Sequence, residues 1–468
     1  MADLFTLLNT GAWSLSAHRA ATATASHNLA NATTEGYSRQ RAELVATTPA
    51  RRLGGAYVGR GVSLSTVSQA RDRFLEQQIP GALAARAEAG AEADALAAVS
   101  VFDPEGGGGL ADALSSFYGA LSDLTNRPGE PALREVVVER ANGLARAFNR
   151  TAQALDEARD GLDVKLAGEV EEINHLAEEV ARLNAAIRSA RASGAEPNDL
   201  LDQRTLARDR LAELTGARPI PDGEGNLSLA LADGTALVSG DLAARLSTVP
   251  DPANGGHLAL AISRPDGSGP VSVDQAALGG SLGGLLSARD GALASAETAV
   301  DQLAFDLAGE INTVHQAGFG LDGVSGRVLF EPPAGVGGAA AALRVEAAIA
   351  QDATLLATSD SAAGVPGNGG NLLRLLATQD APLSTGQSAA AALGDAVAAF
   401  GSAAAGVDAA FRQSSAIEER LTTMRESVSG VSIDEEMIEM TKAQRTFEAV
   451  MRVVETADEM LATLMRLR

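Results

Sequence analysis

Apolar positions recur at intervals of seven near the end of the chain: Ile433, Met440, Phe447, Val454 and Leu461, without a break. Ala443, Val450, Ala457 and Leu464 run beside them, and Met437, Met451 and Met465 flank the row. Heptad spacing sustained this far predicts one amphipathic helix with an apolar seam along its length. Ser432 and Glu435 form an S-x-x-E pair at its start, the pattern of a capping box. The first thirty residues repeat the theme loosely, with Leu4, Leu8, Leu15, Ala25 and Leu29 on one stripe. Neither helix can bury its stripe alone, so the ends are expected to pair with each other or with neighbouring copies.

Helical spacing also dominates residues 82–214. Leu162, Leu166, Val170, Ile173, Leu176, Val180, Leu183 and Ile187 are four or three apart, and Pro131 suits a first helical turn. Leu110 to Leu124 reads as a shorter helix, and Pro197-Asn198-Asp199 separates the long helix from another. Between residues 217 and 277 the pattern changes to short apolar runs divided by Asp222-Gly223, Asp233-Gly234, Asn254-Gly255 and Asp266-Gly267, the signals of a small antiparallel β unit. Helix returns over 285–316. A mainly α chain with a β insertion (α+β) is expected, nested as follows. Residues 1–35 with 430–468 form a coiled-coil-like terminal domain, and 36–216 with 281–333 and 401–429 a mainly helical body. Residues 217–280 form the β unit, and the Ala/Gly-rich 334–400 carries no assignable subdomain.

The chain has 468 residues, of which 46% are hydrophobic but only 3% aromatic, so the core must be built from Leu, Val, Ile and Ala. Formal net charge is −23 and Lys165 and Lys442 are the only lysines, a composition that disfavours nucleic acid as a partner. Arg39, Arg41, Arg51, Arg52 and Arg60 cluster locally and read as a solvated loop or subunit contact. Without cysteine there are no disulfides or thiolate metal sites. No run of 18 or more apolar residues occurs, so no membrane insertion is expected. Met1-Ala2-Asp3-Leu4-Phe5 offers no Sec-type signal, which implies the cytoplasm unless another export route operates.

Two short motifs suggest enzymes. Gly279-Gly280-Ser281-Leu282-Gly283 fits G-x-S-x-G, but nothing before it reads as a buried strand and no βαβ series exists; Ser281 as a hydrolase nucleophile is kept as a remote alternative. Gly318 to Gly323 fits G-x-G-x-x-G but follows a helix, not a strand. The five histidines, His18, His27, His175, His257 and His315, form no H-E-x-x-H pair. No catalytic, cofactor or metal residue is assigned.

Asn28-Leu29-Ala30-Asn31-Ala32-Thr33-Thr34-Glu35-Gly36-Tyr37 resembles the N-terminal signature of the flagellar rod, hook and hook-associated protein family. Its continuation Ser38-Arg39-Gln40 is more similar to the hook–filament junction branch than to rod or hook proteins, which remain the alternative within the family. Phe148-Asn149, Asn198 to Arg204, Gly283 to Asp290, Ile311 to Gly318 and the segment from Gly430 onward resemble the same branch, in the same order. Thr441 to Ala449 departs from the family's usual Tyr-rich last helix, although Phe447 keeps an aromatic on the seam. The resemblance implies a non-enzymatic structural part, exported by the flagellar type III apparatus and resident in the extracellular flagellum after a cytoplasmic stage. It implies the hook protein, a second junction protein, copies of itself in a ring, and a cytosolic chaperone on the C-terminal region as partners. The assembly surface would comprise Leu4, Leu8, Leu15, Leu29, Ile433, Met437, Met440, Phe447, Val450, Met451, Val454, Leu461 and Leu464.

Overall fold

Helix α4, Pro131–Ala192, has 62 residues, a length of about 93 Å at the α-helical rise. Extended Glu130 precedes it, and Pro131 sits where a missing N–H costs nothing. The computed structural model describes residues 2–47, 51–53, 56–59, 61–99, 109–221 and 226–466. Arg60, the Asp222-Gly223 turn and the side chains of Leu4, Arg51, Arg52 and Leu464 lie outside the described residues.

Two cores share α4. As far as Leu162 its apolar face packs with α3, Leu110–Thr125, and α7, Ala294–Ala317. From Leu166 to Ala181 it packs with α5, Asn198–Thr215, and the β unit. That unit holds a four-stranded antiparallel sheet, β5 Arg218–Pro221, β6 Leu227–Ala230, β7 Ala236–Ser239 and β8 Leu242–Ala243. A second sheet has the order β11-β10-β9, from β9 Arg245–Pro250, β10 Leu258–Ser263 and β11 Val271–Ser272. Gly234, Gly255 and Gly267 take positive φ at the turns, the conformation those Asx-Gly pairs favour.

Helix α2, Arg73–Ala97, lies between α6, Gly280–Ser287, and α11, Ala389–Ser429. A π-helical turn, Ala288–Leu293, joins α6 to α7. One 18-residue window of the helical run Ala389–Thr463 has a mean hydropathy of 1.4, long and apolar enough to cross a membrane. It is not an unbroken apolar run, and alanine, not large side chains, supplies the hydropathy.

Residues 334–400, which carry no clear period, are built into the first core. Ala340, Leu343, Ile349, Leu356, Leu372 and Leu375 are buried there, on short helices (α8 Ala339–Ala342, α9 Ala347–Gln351, α10 Gly370–Ala377) and the links between them. Irregular backbone inside a core must find partners elsewhere, and here side chains of the long helices supply them. Arg134, fully buried, donates to Pro128 O (2.7 Å) and Leu356 O (2.8 Å). Asn149 donates to Ala340 O and Leu343 O, and Asp301 accepts from Gly338 and Ala340. His315 Nδ1 bonds Arg327 O (2.7 Å) while Nε2 accepts from the Ala357 N–H (3.0 Å). Burial holds that imidazole neutral, with its pKa lowered from 6.5 to about 4. The unfolded chain then takes up the proton first, so this contribution is complete above pH 6.5 and is lost as pH falls towards 4. Urea unfolding should show a loss of about 3 kcal/mol across that window, and the slope should flatten in His315→Gln.

The chain ends meet. Helix α1, Ala2–Ala30, and α12, Ile433–Arg466, run antiparallel, with Ser26 beside Met440 and Gly11 beside Val454. Glu436, Met440, Ala443, Phe447, Val450, Val454, Ala457 and Leu461 are buried or half-buried on α12. The opposing row on α1 includes Ala25 of the expected stripe: Gly11, Ser14, Ala17, Ala25 and Asn28 are buried, and Leu8, Leu15 and Leu29 are half-buried beside them. Ile433, Met437, Met451 and Met465 are exposed and lie off the intramolecular seam. Small residues let the helices approach closely; a β-carbon at Gly11 would lie 2.3 Å from Val454 Cγ2. A hairpin that the helical reading of residues 36–216 did not foresee packs against α1. It pairs β1, Gln40–Ala46, with β4, Val62–Gln69, and carries β2, Arg51–Leu53, and β3, Ala56–Val58, as a second ladder.

Candidate functional site

Asn28 sits in the last turns of α1 with 1% of its surface exposed, and all its polar capacity is used inward. Its Nδ2 donates to Gln40 O (2.8 Å) and to Glu436 Oε2 (3.0 Å). Its Oδ1 accepts from the Tyr37 hydroxyl (2.8 Å) and the Gln40 N–H (2.9 Å). One amide therefore ties α1, the turn after it, the start of β1 and the start of α12. The turn itself is made by Asn31, whose Nδ2 caps back to His27 O, by Thr34 on Asn31 Oδ1, and by Gly36 at φ +73. Only Gly36 uses the left-handed region; Asn31 stays at negative φ. Ala30 is exposed.

Arg39 completes the link to α12. Its Nε donates to Glu436 Oε1 (2.6 Å), its guanidinium to Glu435 Oε2 (2.7 Å), and its backbone N–H to Ser429 O (2.9 Å). Burial works against the Arg39 charge, but the bonds to Glu436 and Glu435 outweigh it and raise its pKa. Glu435 is thus spent on Arg39, and the capping box is half formed, by the Ser432 hydroxyl accepting from the Glu435 N–H at 3.4 Å.

The same segment is keyed to the body through α5. The Ser38 N–H donates to Asp202 (3.2 Å), and Arg71 spans Asp202 (2.5 Å), Thr205 (2.7 Å) and the Ser38 hydroxyl (3.2 Å). Asp199 accepts from Gln40 and faces His27 at 3.2 Å. Among the described residues no side chain caps the start of α5; Asn198, its first residue, donates to Val67 O of β4 (2.7 Å). Burial, then Asp199, Asp202 and Glu436, raise the Tyr37 pKa, which keeps the phenol protonated and donating. Arg425 reaches Asp209 (3.0 Å), which also holds Arg208, so the end of α11 is fixed to α5 as well. Every carboxylate named here is engaged by a donor, and the arrangement fixes geometry; it pairs no nucleophile with a base.

Of the residues picked from sequence, Asn28, Tyr37, Ser38 and Arg39 converge at this joint. Arg71 was not picked; Glu435 was read only as a capping-box residue, and Asp199, Asp202 and Glu436 only as members of resembling segments, because isolated charges carry no periodic signal that would assign them a partner. The two enzyme-like motifs lie elsewhere. A 3₁₀ turn, Gln275–Ala277, precedes Gly279, and the Ser281 hydroxyl donates to Glu169 (2.8 Å) in the first turn of α6. This corrects the hydrolase elbow, which needs a buried strand before the serine, where this chain has a 3₁₀ turn. Gly318 follows α7 directly and abuts the Asn371 side chain, so no phosphate loop forms there.

Residues 99–330 match the family described as flagellar hook-associated protein FlgK helical domain, and residues 425–467 the flagellar basal body rod FlgEFG protein C-terminal family. Flagellar hook-associated protein 1 of Salmonella typhimurium is 31% identical over 333 residues, which are 69% of this chain and 59% of that protein. The chain therefore spans about three fifths of that relative. The protein of the same description from Bacillus subtilis is 28% identical over 98% of both chains. Among solved structures, that of the flagellar hook junction protein FlgK from Burkholderia pseudomallei aligns with a TM-score of 0.51 and 28% identity, over 55% of this chain and 46% of that one.

Proposed function

We propose that this chain, which belongs to the family of flagellar hook-associated protein 1, is a structural subunit of the bacterial flagellum at the junction of hook and filament. The observation that carries the reading is the joint, where the family signature clamps an antiparallel pair of terminal helices to a helical body. A pair held rigidly against a body can form an inner wall while the body forms an outer one. Exposed Phe5, Trp13, Ile433, Met437, Met451 and Met465 on the pair give neighbouring copies an apolar surface. On this reading the chain works mechanically and not as an enzyme. Its partners are the hook protein, a second junction protein, copies of itself in a ring and, before type III export from the cytoplasm, a helical chaperone on residues 425–468. Helix α4 and the match to the junction protein's helical domain favour this over a hook or distal-rod protein.

The test uses a double change on the outer face of α12, Met437→Asp with Met451→Asp, in a strain that lacks the native gene. Both side chains point away from α1, so the monomer should fold and be exported normally. Charges in an apolar subunit contact should prevent ring assembly, giving non-motile cells that shed unassembled subunit. Wild-type motility in the double mutant would sink the proposal.

A further inference from the structure

The side chains that pin the β unit to α4 leave two carboxylates unused. Asp156, Asp160 and Asp163 share one face of α4 at helical spacing. Asp163 is fully engaged: it accepts from Arg289 and from the Leu258 N–H (3.1 Å), and lies 3.1 Å from His257 Nδ1. That carboxylate fixes the imidazole ring against α4. His257, from the β unit, is only 6% exposed. A ring nitrogen of His257 and carboxylate oxygens of exposed Asp156 and Asp160 all lie within 4.8 Å of one another. Among the described residues neither Asp156 nor Asp160 accepts a hydrogen bond, and the nearest cationic partner of Asp160 is His257 Nδ1, at 3.7 Å.

The local charge is negative. Asp156, Asp160, Asp163, Asp290 and Glu297 stand against Arg159 and Arg289, and both guanidiniums are already paired with other carboxylates. Arg159 bonds Glu297 (2.5 Å), and Arg289 bonds Asp163 and Asp290 (2.7 Å). We propose that Asp156, Asp160 and His257 bind a divalent cation of the borderline class, Zn²⁺ in type, which staples the inserted β unit to the long helix. One imidazole and two carboxylates with water completing the shell suit Zn²⁺; Ca²⁺ prefers six or more oxygens. An oriented histidine with a carboxylate behind it is the usual support for such a ligand.

Titration calorimetry of the full chain with ZnCl₂ tests the site. One equivalent should bind more tightly than the remaining acidic surface, and excess CaCl₂ should not displace it. Asp156→Asn and Asp160→Asn, both exposed and checked for fold by circular dichroism, should each weaken that equivalent by roughly tenfold or more. Zn²⁺ should also slow amide exchange in β10 of the wild type but not of the variants. No tight equivalent, or one that persists unchanged in both variants, overturns the proposal.

Discussion

Arg39→Ala should release both terminal helices while leaving the body folded. Glu436 is 3% exposed and has two stabilising partners, the Arg39 fork and Asn28 Nδ2. Removing the guanidinium leaves a buried carboxylate with one neutral donor, and breaking a buried pair from one side costs about 3 kcal/mol. The helix pair has little to set against that, since its contact row on α1 is Gly11, Ser14, Ala17 and Ala25. Hydrogen exchange should therefore quicken about a hundredfold in segments 2–30 and 433–466, with α4 and α7 unchanged. Arg39→Lys should recover only part of the protection, because one ammonium cannot serve Glu435 and Glu436 as the fork does. Adding Glu436→Gln to Arg39→Ala should restore most of it by removing the unpaired charge. Unchanged exchange in Arg39→Ala would show that the joint does not hold the helices.

How much of this was legible depended on whether a feature repeats. Heptads on α12, the three-and-four spacing of α4 and the Asx-Gly turns each repeat, and each announced its element. The small residues on the face of α1 were missed because leucines draw attention in a sequence, whereas close packing against Val454 requires a residue with no side chain, Gly11. Residues 334–400 have no period because their backbone is satisfied by Arg134, Asn149, Asp301 and His315, from α4 and α7. The hairpin β1–β4 was hidden by its polar character. At the joint, the signature segment was legible only through its resemblance to known sequences. Its partners Asp202 and Glu436 lie more than 160 and nearly 400 residues away, and no local pattern predicts them. Asp156, Asp160 and His257 escaped for the same reason, since a metal set drawn from two elements has no motif.

Gly284→Ala should destabilise the body severely, although helix propensity alone predicts the opposite. In an isolated helix the change would gain roughly 1 kcal/mol. Here a β-carbon at Gly284 would lie 2.1 Å from Glu88 O and 3.1 Å from Glu92 N, both backbone atoms of α2. Backbone inside a packed helix cannot yield as a flexible side chain would, so α6 must move away from α2. That opens the contact made by Leu282, Leu285 and Leu286, all buried, and the net loss should be about 3 kcal/mol. Ser281→Ala, three residues earlier, removes only the hydrogen bond to Glu169 and should cost about 1 kcal/mol. Gly284 lies just past the glycine-serine motif, on the same helix as Ser281, so the contrast separates packing from chemistry in α6. If the glycines serve helix packing, denaturant unfolding will rank Gly284→Ala far above Ser281→Ala, and a fluorophosphonate probe will not label Ser281. A mild Gly284→Ala together with labelling that Ser281→Ala abolishes would return the motif to the hydrolase reading.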